Sequence, residues 1–183
     1  LERKKRFGKA KIQTNEKELI QINYFKKNKP IIIFLVKFFI IFAILEFTII
    51  SIDLSFLTNL ITSIIGVFLR IPYAKNTLFV NSTNFVITNS CTGLISLSIL
   101  TAITLPLKRM VLEKRLLIIL IGGALVLIAN IPRIILVIYS GFFGFDTNFV
   151  HELTWFLMSG LIVIIWYYGL KLIQKEKDFS KLI

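Results

Sequence analysis

The sequence predicts an all-α integral membrane bundle of about four spans, with an external amphipathic helix and a short β-hairpin ahead of a single cysteine. Three observations predict it. Hydrophobic residues make up 56% of the 183 residues, and mean hydropathy is +0.80, well above what a soluble domain carries. Several apolar runs reach the ~20 residues that a helix needs to cross a ~30 Å hydrocarbon core. The basic residues gather at the two ends of the chain and in one internal loop, where they act as topology signals.

The net charge of +12 would suggest nucleic acid as a partner in a soluble chain. Here it is not a surface patch: residues 1–30 hold ten of the 22 Lys and Arg, residues 108–115 hold four, and residues 171–183 hold four. That distribution argues for retention on the cytoplasmic side and contact with anionic headgroups of the lipid bilayer, not for nucleic acid. One cysteine excludes an intrachain disulfide and a cysteine-based metal motif. No metal and no cofactor is expected. The first apolar run begins at Ile31, is long enough to span and ends without a small-residue cleavage pattern, so it reads as an anchor and not a cleaved signal.

In chain order, residues 1–30 read as a basic cytoplasmic tail, 31–173 as the membrane-embedded domain and 174–183 as a second basic tail. Span one covers about 31–52. Lys37 lies near its inner end and can snorkel, whereas Glu46 is deeper and should face protein or water. In 54–70, Leu57, Leu60, Ile61, Ile64, Ile65 and Phe68 recur at helical spacing opposite Ser55, Thr58, Asn59, Thr62 and Gly66. So short and two-faced a run suits either a crossing or an interfacial helix. The pattern then changes to period two, Thr77–Val80 and Asn84–Thr88 around Asn81-Ser82-Thr83, which reads as a hairpin outside the hydrocarbon. Span two is about 92–107, ending near Pro106. Span three starts at Leu116 and stays apolar to Phe143, too long for a straight crossing at ~1.5 Å per residue, with Pro132 placed to kink it. Span four is 151–170.

Charge parity decides the ambiguous segment. With both tails and the 108–115 loop in the cytoplasm, 53–91 stays outside; were 54–70 to cross, that loop would face outward against the positive-inside rule. Cys91 then opens span two at the outer face, Arg133 lies about 27 Å along span three from Arg115, and His151 opens span four. A thiol, a guanidinium and an imidazole reach one depth. A nearby imidazole or guanidinium favours the nucleophilic thiolate, the imidazole can move a proton to a leaving amine, and arginine can hold an oxyanion or carboxylate. Thr92 and Gly93 put backbone N–H groups at a helix start beside the sulfur. Taken singly, each residue has a plainer reading: an apolar filler, a snorkelling anchor and an interfacial polar residue.

At these residues the chain resembles the exosortase/archaeosortase family of membrane-embedded cysteine transpeptidases. The matching pieces are Cys91-Thr92-Gly93 at a span mouth, Asn130-Ile131-Pro132-Arg133 late in the next span, and His151 at the start of the one after. The likeness covers roughly residues 75–170, hairpin included. It implies that Cys91 is the nucleophile, Arg133 a catalytic arginine and His151 the third member, with Asn130, Thr92 and Gly93 in support. Histidine at the third position is the form typical of exosortases, where many archaeal members carry arginine. The resemblance further implies a substrate: an exported protein ending in a sorting motif, a transmembrane helix and a basic cluster. It would be cleaved through a thioester and passed to an amine, a lipid headgroup or water.

Several further residues are candidates for the same face. Asp146 and Glu152 lie near His151 and are placed to orient it, or are simply solvated; Trp155 and Ser159 share its helical face. Asn81-Ser82-Thr83 fits a glycosylation acceptor. The rival reading, from a non-enzyme class, is a small membrane subunit of a transporter or protein-export complex. It accounts for the hydrophobicity and basic tails but not for the convergence of Cys, Arg and His.

Overall fold

The computed structural model describes residues 28–80, 83–108 and 110–174. The two basic tails fall almost wholly outside the described residues, as do Asn81 and Ser82 of the hairpin turn. Three helices are long and apolar enough to cross a membrane: α1 (Asn28–Ser51), α4 (Leu112–Phe142) and α5, whose α-helical part is Thr147–Gly169 and which continues as a π-helical turn, Leu170–Gln174. Between α1 and α4 lie α2 (Ser55–Leu69), strands β1 (Tyr73–Ala74), β2 (Thr77–Val80) and β3 (Thr83–Val86), a 3-10 turn (Asn89–Thr92) and α3 (Leu94–Thr104).

The segment expected as span two contains only the eleven residues of α3 as α-helix, a rise of about 16 Å and roughly half of a hydrocarbon core. Pro106 has no N–H with which to extend the helix, and Arg115 donates from Nη1 to the Leu105 carbonyl at 2.8 Å. The helix sits inside the bundle, with Leu100 and Ala102 fully buried. Its Ser98, Thr101 and Thr104 hydroxyls return to carbonyls one turn back, at 3.0, 2.8 and 2.6 Å. Such back-bonding satisfies polar side chains where water is absent. α4 comes close to α3 and α5 through small residues. A Cβ on Gly122 would stand 2.9 Å from both Leu100 Cδ2 and Ile165 Cγ2, and one on Gly123 would stand 2.6 Å from Leu97 Cδ1.

Two boundaries move from their expected places. α4 begins at Leu112 and not at Leu116, so Lys114 and Arg115 belong to its first turn and the basic loop is shorter. α5 begins at Thr147 and not at 151, which sets His151 a full turn inside the helix. The reason is Asp146, whose Oδ1 accepts the Asn148 and Phe149 N–H groups at 2.9 and 3.4 Å, a side-chain N-cap.

α2 is inverted relative to a water-soluble amphipathic helix. Its buried residues are Thr58, Thr62, Ile65 and Gly66, while Phe56, Leu60, Ile64, Val67 and Phe68 face outward. Thr62 bonds its own backbone at Thr58 O, 2.7 Å away. Small residues make the closer packing surface, and the Leu and Phe side faces away from the rest of the described residues. The hairpin has the register Leu78↔Phe85 and Val80↔Thr83, and β1 adds a third antiparallel strand that the sequence pattern did not indicate.

Three apolar clusters mark successive levels. Ile65, Leu78, Val80, Ile87, Ile134 and Ile138 join the sheet to α2 and α4. Leu100, Val126, Met158 and Ile162 join α3, α4 and α5. Leu107, Met110, Ile118 and Leu170 close the end near the basic loop, with Phe34 of α1 packed against them.

Candidate active site

Cys91 lies in the 3-10 turn between β3 and α3, half-buried against the sheet cluster. It precedes the first residue of α3 by three positions, so its thiol belongs to the short turn and not to the helix start. Its nearest polar partner is the Thr88 hydroxyl, 3.5 Å from Sγ, which also meets Ser90 Oγ at 2.8 Å. The turn is fixed by Cys91 N–H donating to Thr88 O at 2.9 Å and by the buried Thr92, whose hydroxyl donates to Asn89 O at 2.6 Å.

Gly93 links this turn to α3 with φ +84°, a left-handed conformation that a side chain disfavours. A Cβ there would stand 3.2 Å from Asn130 Cβ and Cγ. The missing side chain lets α4 come close enough for Asn130 Nδ2 to donate to the Cys91 carbonyl. Asn130 is 2% exposed and tethers the cysteine turn to α4.

The same Asn130 accepts, through Oδ1, from Arg133 Nη1 at 3.2 Å. Arg133, 6% exposed, also donates from Nε to Thr154 Oγ1 at 3.3 Å. Its Nη2 meets His151 Nε2 at 3.1 Å. The guanidinium carbon lies 4.6 Å from the centroid of the Trp155 ring, a cation–π contact, and Trp155 meets the imidazole edge-on at 6.5 Å. Thr154 in turn donates to the His151 carbonyl at 2.8 Å. A guanidinium has no acceptor, so His151 Nε2 accepts in this pair, and the proton of the neutral ring sits on Nδ1.

Each of these partners of Arg133 is neutral: an amide, a hydroxyl, an imidazole and an indole face. A cation held in a protein interior by neutral groups keeps an unspent attraction for an anion, and the guanidinium has N–H groups to spare beyond its three bonds.

Cys91, Arg133 and His151 come from three elements, and all three line one cleft of about 300 Å³. Its remaining walls are Phe85–Thr88 and Ser90 on the sheet side, Ile134, Val137 and Ile138 of α4, and Thr147 and Asn148 of α5. Asn130 and Gly93 support the cleft from behind without lining it, as does Thr92.

The secondary candidates divide. Trp155 belongs to the site as the face beneath Arg133. Ser159 does not: it is exposed and bonds only Trp155 O at 3.0 Å. Asp146 caps α5 and does not reach for His151, and Glu152 is exposed. Thr154 escaped the sequence reading, although its position three residues after His151 on one helical face was the available signal. Thr88 escaped it too. Among the described residues, no group of His, Cys, Asp and Glu could hold a metal ion.

Neither a family model, nor a curated protein, nor a solved structure matches this chain.

Proposed function

We propose that the chain is a membrane-embedded cysteine protease or transpeptidase of the exosortase/archaeosortase type. In this reading it removes a carboxyl-terminal sorting signal from an exported protein and passes the acyl group to an acceptor. The observation that carries the reading is the single cleft shared by Cys91, Arg133 and His151. The groups that bond Arg133 among the described residues are all neutral, which adds to it, because a buried cation held in this way suits a site where negative charge develops during reaction.

In the proposed topology both tails are cytoplasmic, α3 with its flanking turns occupies the second crossing, and the cleft opens at the outer face. The resting contact between Arg133 and His151 Nε2 blocks the one nitrogen that can take a proton. A substrate carbonyl or carboxylate that draws the guanidinium toward itself frees Nε2. The thiol proton then moves to Nε2, and the sulfur forms a C–S bond at the scissile carbonyl while Arg133 holds the oxyanion. Collapse breaks the C–N bond, with the proton passing from Nε2 to the leaving amine. An incoming amine or water next gives a proton to Nε2 and attacks the thioester; the C–S bond breaks and the thiol is restored.

The deciding experiment co-expresses the chain with an exported protein that ends in a transmembrane helix and a basic cluster, and follows its processing. The wild-type chain is expected to shorten the partner and the Cys91→Ala variant to leave it intact. Processing by Cys91→Ala would end the enzyme reading and leave the subunit reading in its place.

A further inference from the structure

The sheet ends in an open edge beside the cleft, and its backbone pattern specifies what fits there. β3 is the outer strand of the order β1-β2-β3. Ile87 N–H donates to Asn76 O at 2.7 Å, toward β2. Alternation along an antiparallel strand then turns the N–H and C=O groups of Thr83 and Phe85 toward β2, and those of Asn84 and Val86 outward. The β1–β2 pairing agrees with this phase, since Phe79 N–H points the other way, to Pro72 O at 2.9 Å. Among the described residues nothing hydrogen-bonds to the outward groups of Asn84 and Val86, and Val86 is 54% exposed.

That edge, and not one face of the sheet, borders the cleft. Phe85 and Ile87 have side chains on one face of the strand and Val86 and Thr88 on the other, yet all four line the same space as Cys91. A cleft lying on a single face would collect residues of one parity.

We infer that an extended peptide binds by adding a strand to the free edge of β3, pairing with the outward backbone groups of Asn84 and Val86, and that this delivers its carbonyl to Cys91. Outward donors and acceptors about 6.8 Å apart are matched by another extended backbone, as in other strand-addition complexes. Val137 of α4, half-buried in the same cleft, is then placed to meet a side chain of the guest, while Ile134 and Ile138 are packed against the sheet. The inference rests on the proposed cysteine chemistry and adds to it how the substrate is held.

Main-chain pairing tolerates sequence, so the test needs no sorting motif. The 183-residue chain in nanodiscs is treated with acetyl-Val-Thr-Val-Ala vinyl sulfone, and thioether formation at Cys91, the only cysteine in the chain, is timed by mass spectrometry against methyl vinyl sulfone. Two isomers of the peptide carry N-methyl groups on amides of opposite parity. The peptide is expected to label faster than the small reagent, and one N-methyl isomer to lose about tenfold while the other keeps its rate, the size of effect that lost backbone hydrogen bonds give.

Val86→Pro removes the outward N–H, a change that edge strands accept. It should cut the ratio of peptide to methyl vinyl sulfone labelling rates by about tenfold. If that variant fails to fold, the N-methyl pair decides alone. Equal rates for the two isomers, or no advantage of peptide over small reagent, would overturn strand addition. So would a dimer of this chain that Val86→Pro dissolves with peptide labelling intact. Failure of the underlying chemistry shows separately, as methyl vinyl sulfone labelling that His151→Gln does not alter.

Discussion

The α4–α5 pair is held together differently at its two ends. Near the basic loop the contact is apolar: Ile118 of α4 packs with Leu170, Leu107 and Met110, and its Cγ2 would meet a Cβ on Gly169 at 3.2 Å. About three to four turns further along α4 the contact is polar, made by Asn130 and Arg133 with His151 and Thr154. Apolar packing would have joined the helices at either end at lower desolvation cost. In a helical membrane bundle, a buried polar network that packing alone does not require is the first place to look for function. The two ends should therefore fail in different ways when altered.

Arg133→Met makes the largest difference at the polar end. Processing of the partnered substrate is expected to fall by about 10²–10³-fold, the usual cost of losing an oxyanion donor. Tm in detergent should fall only moderately, because loss of the buried cation spares its desolvation while Asn130 Oδ1 and His151 Nε2 each lose a donor, at about 1–3 kcal/mol per buried acceptor. A large drop in Tm with processing retained per folded molecule would make Arg133 a structural strut.

Ile118→Ala is the mirror experiment at the apolar end. It should cost about 2–5 kcal/mol of stability, as large-to-small core changes do, with processing per folded molecule unchanged. Loss of activity without loss of stability there would undo the contrast between the two ends.

This contrast also shows what could be read in the sequence. The helical elements, the hairpin and the separations of Cys91, Arg133 and His151 follow from hydropathy, period and charge, which are local. The length of α3 does not, because hydropathy runs on past Thr104 while the helix stops short of Pro106 and Arg115 takes the Leu105 carbonyl. The inverted face of α2 was illegible for a related reason: periodicity identifies two faces, and only the surrounding medium decides which one turns inward. Thr154, Thr88 and the Asn130–Cys91 tether arise from contacts between elements. Gly93 carried a visible signal as a glycine, but its dependence on Asn130 appears only when α4 is in place.

Gly93→Ala probes that dependence and should have an intermediate effect. A residue at φ +84° with its Cβ 3.2 Å from Asn130 and Leu127 is strained by about 1–3 kcal/mol. The movement that relieves it draws Asn130 from the Cys91 carbonyl. The expected outcome is a modest fall in Tm together with slower labelling of Cys91 by methyl vinyl sulfone. A fall in Tm with unchanged labelling would mean that the tether supports the fold and not the thiol.

Asp146→Ala should have the smallest effect, and it separates two roles for a residue close to the polar end. Asp146 precedes His151 by five positions, and its carboxylate is committed to the Asn148 and Phe149 N–H groups. Removing a cap of this kind costs about 1 kcal/mol, felt as fraying of the first turn of α5, where Thr147 and Asn148 line the cleft. Asp146→Asn keeps an oxygen that can accept those N–H groups and should restore most of the lost stability. An aspartate acting as the orienting anion of His151 would behave otherwise: Asp146→Asn would keep the stability and still lose processing. The cap predicts that stability and processing recover together, because with the helix start in place the imidazole is held by Arg133 and Trp155, neither of which needs the charge.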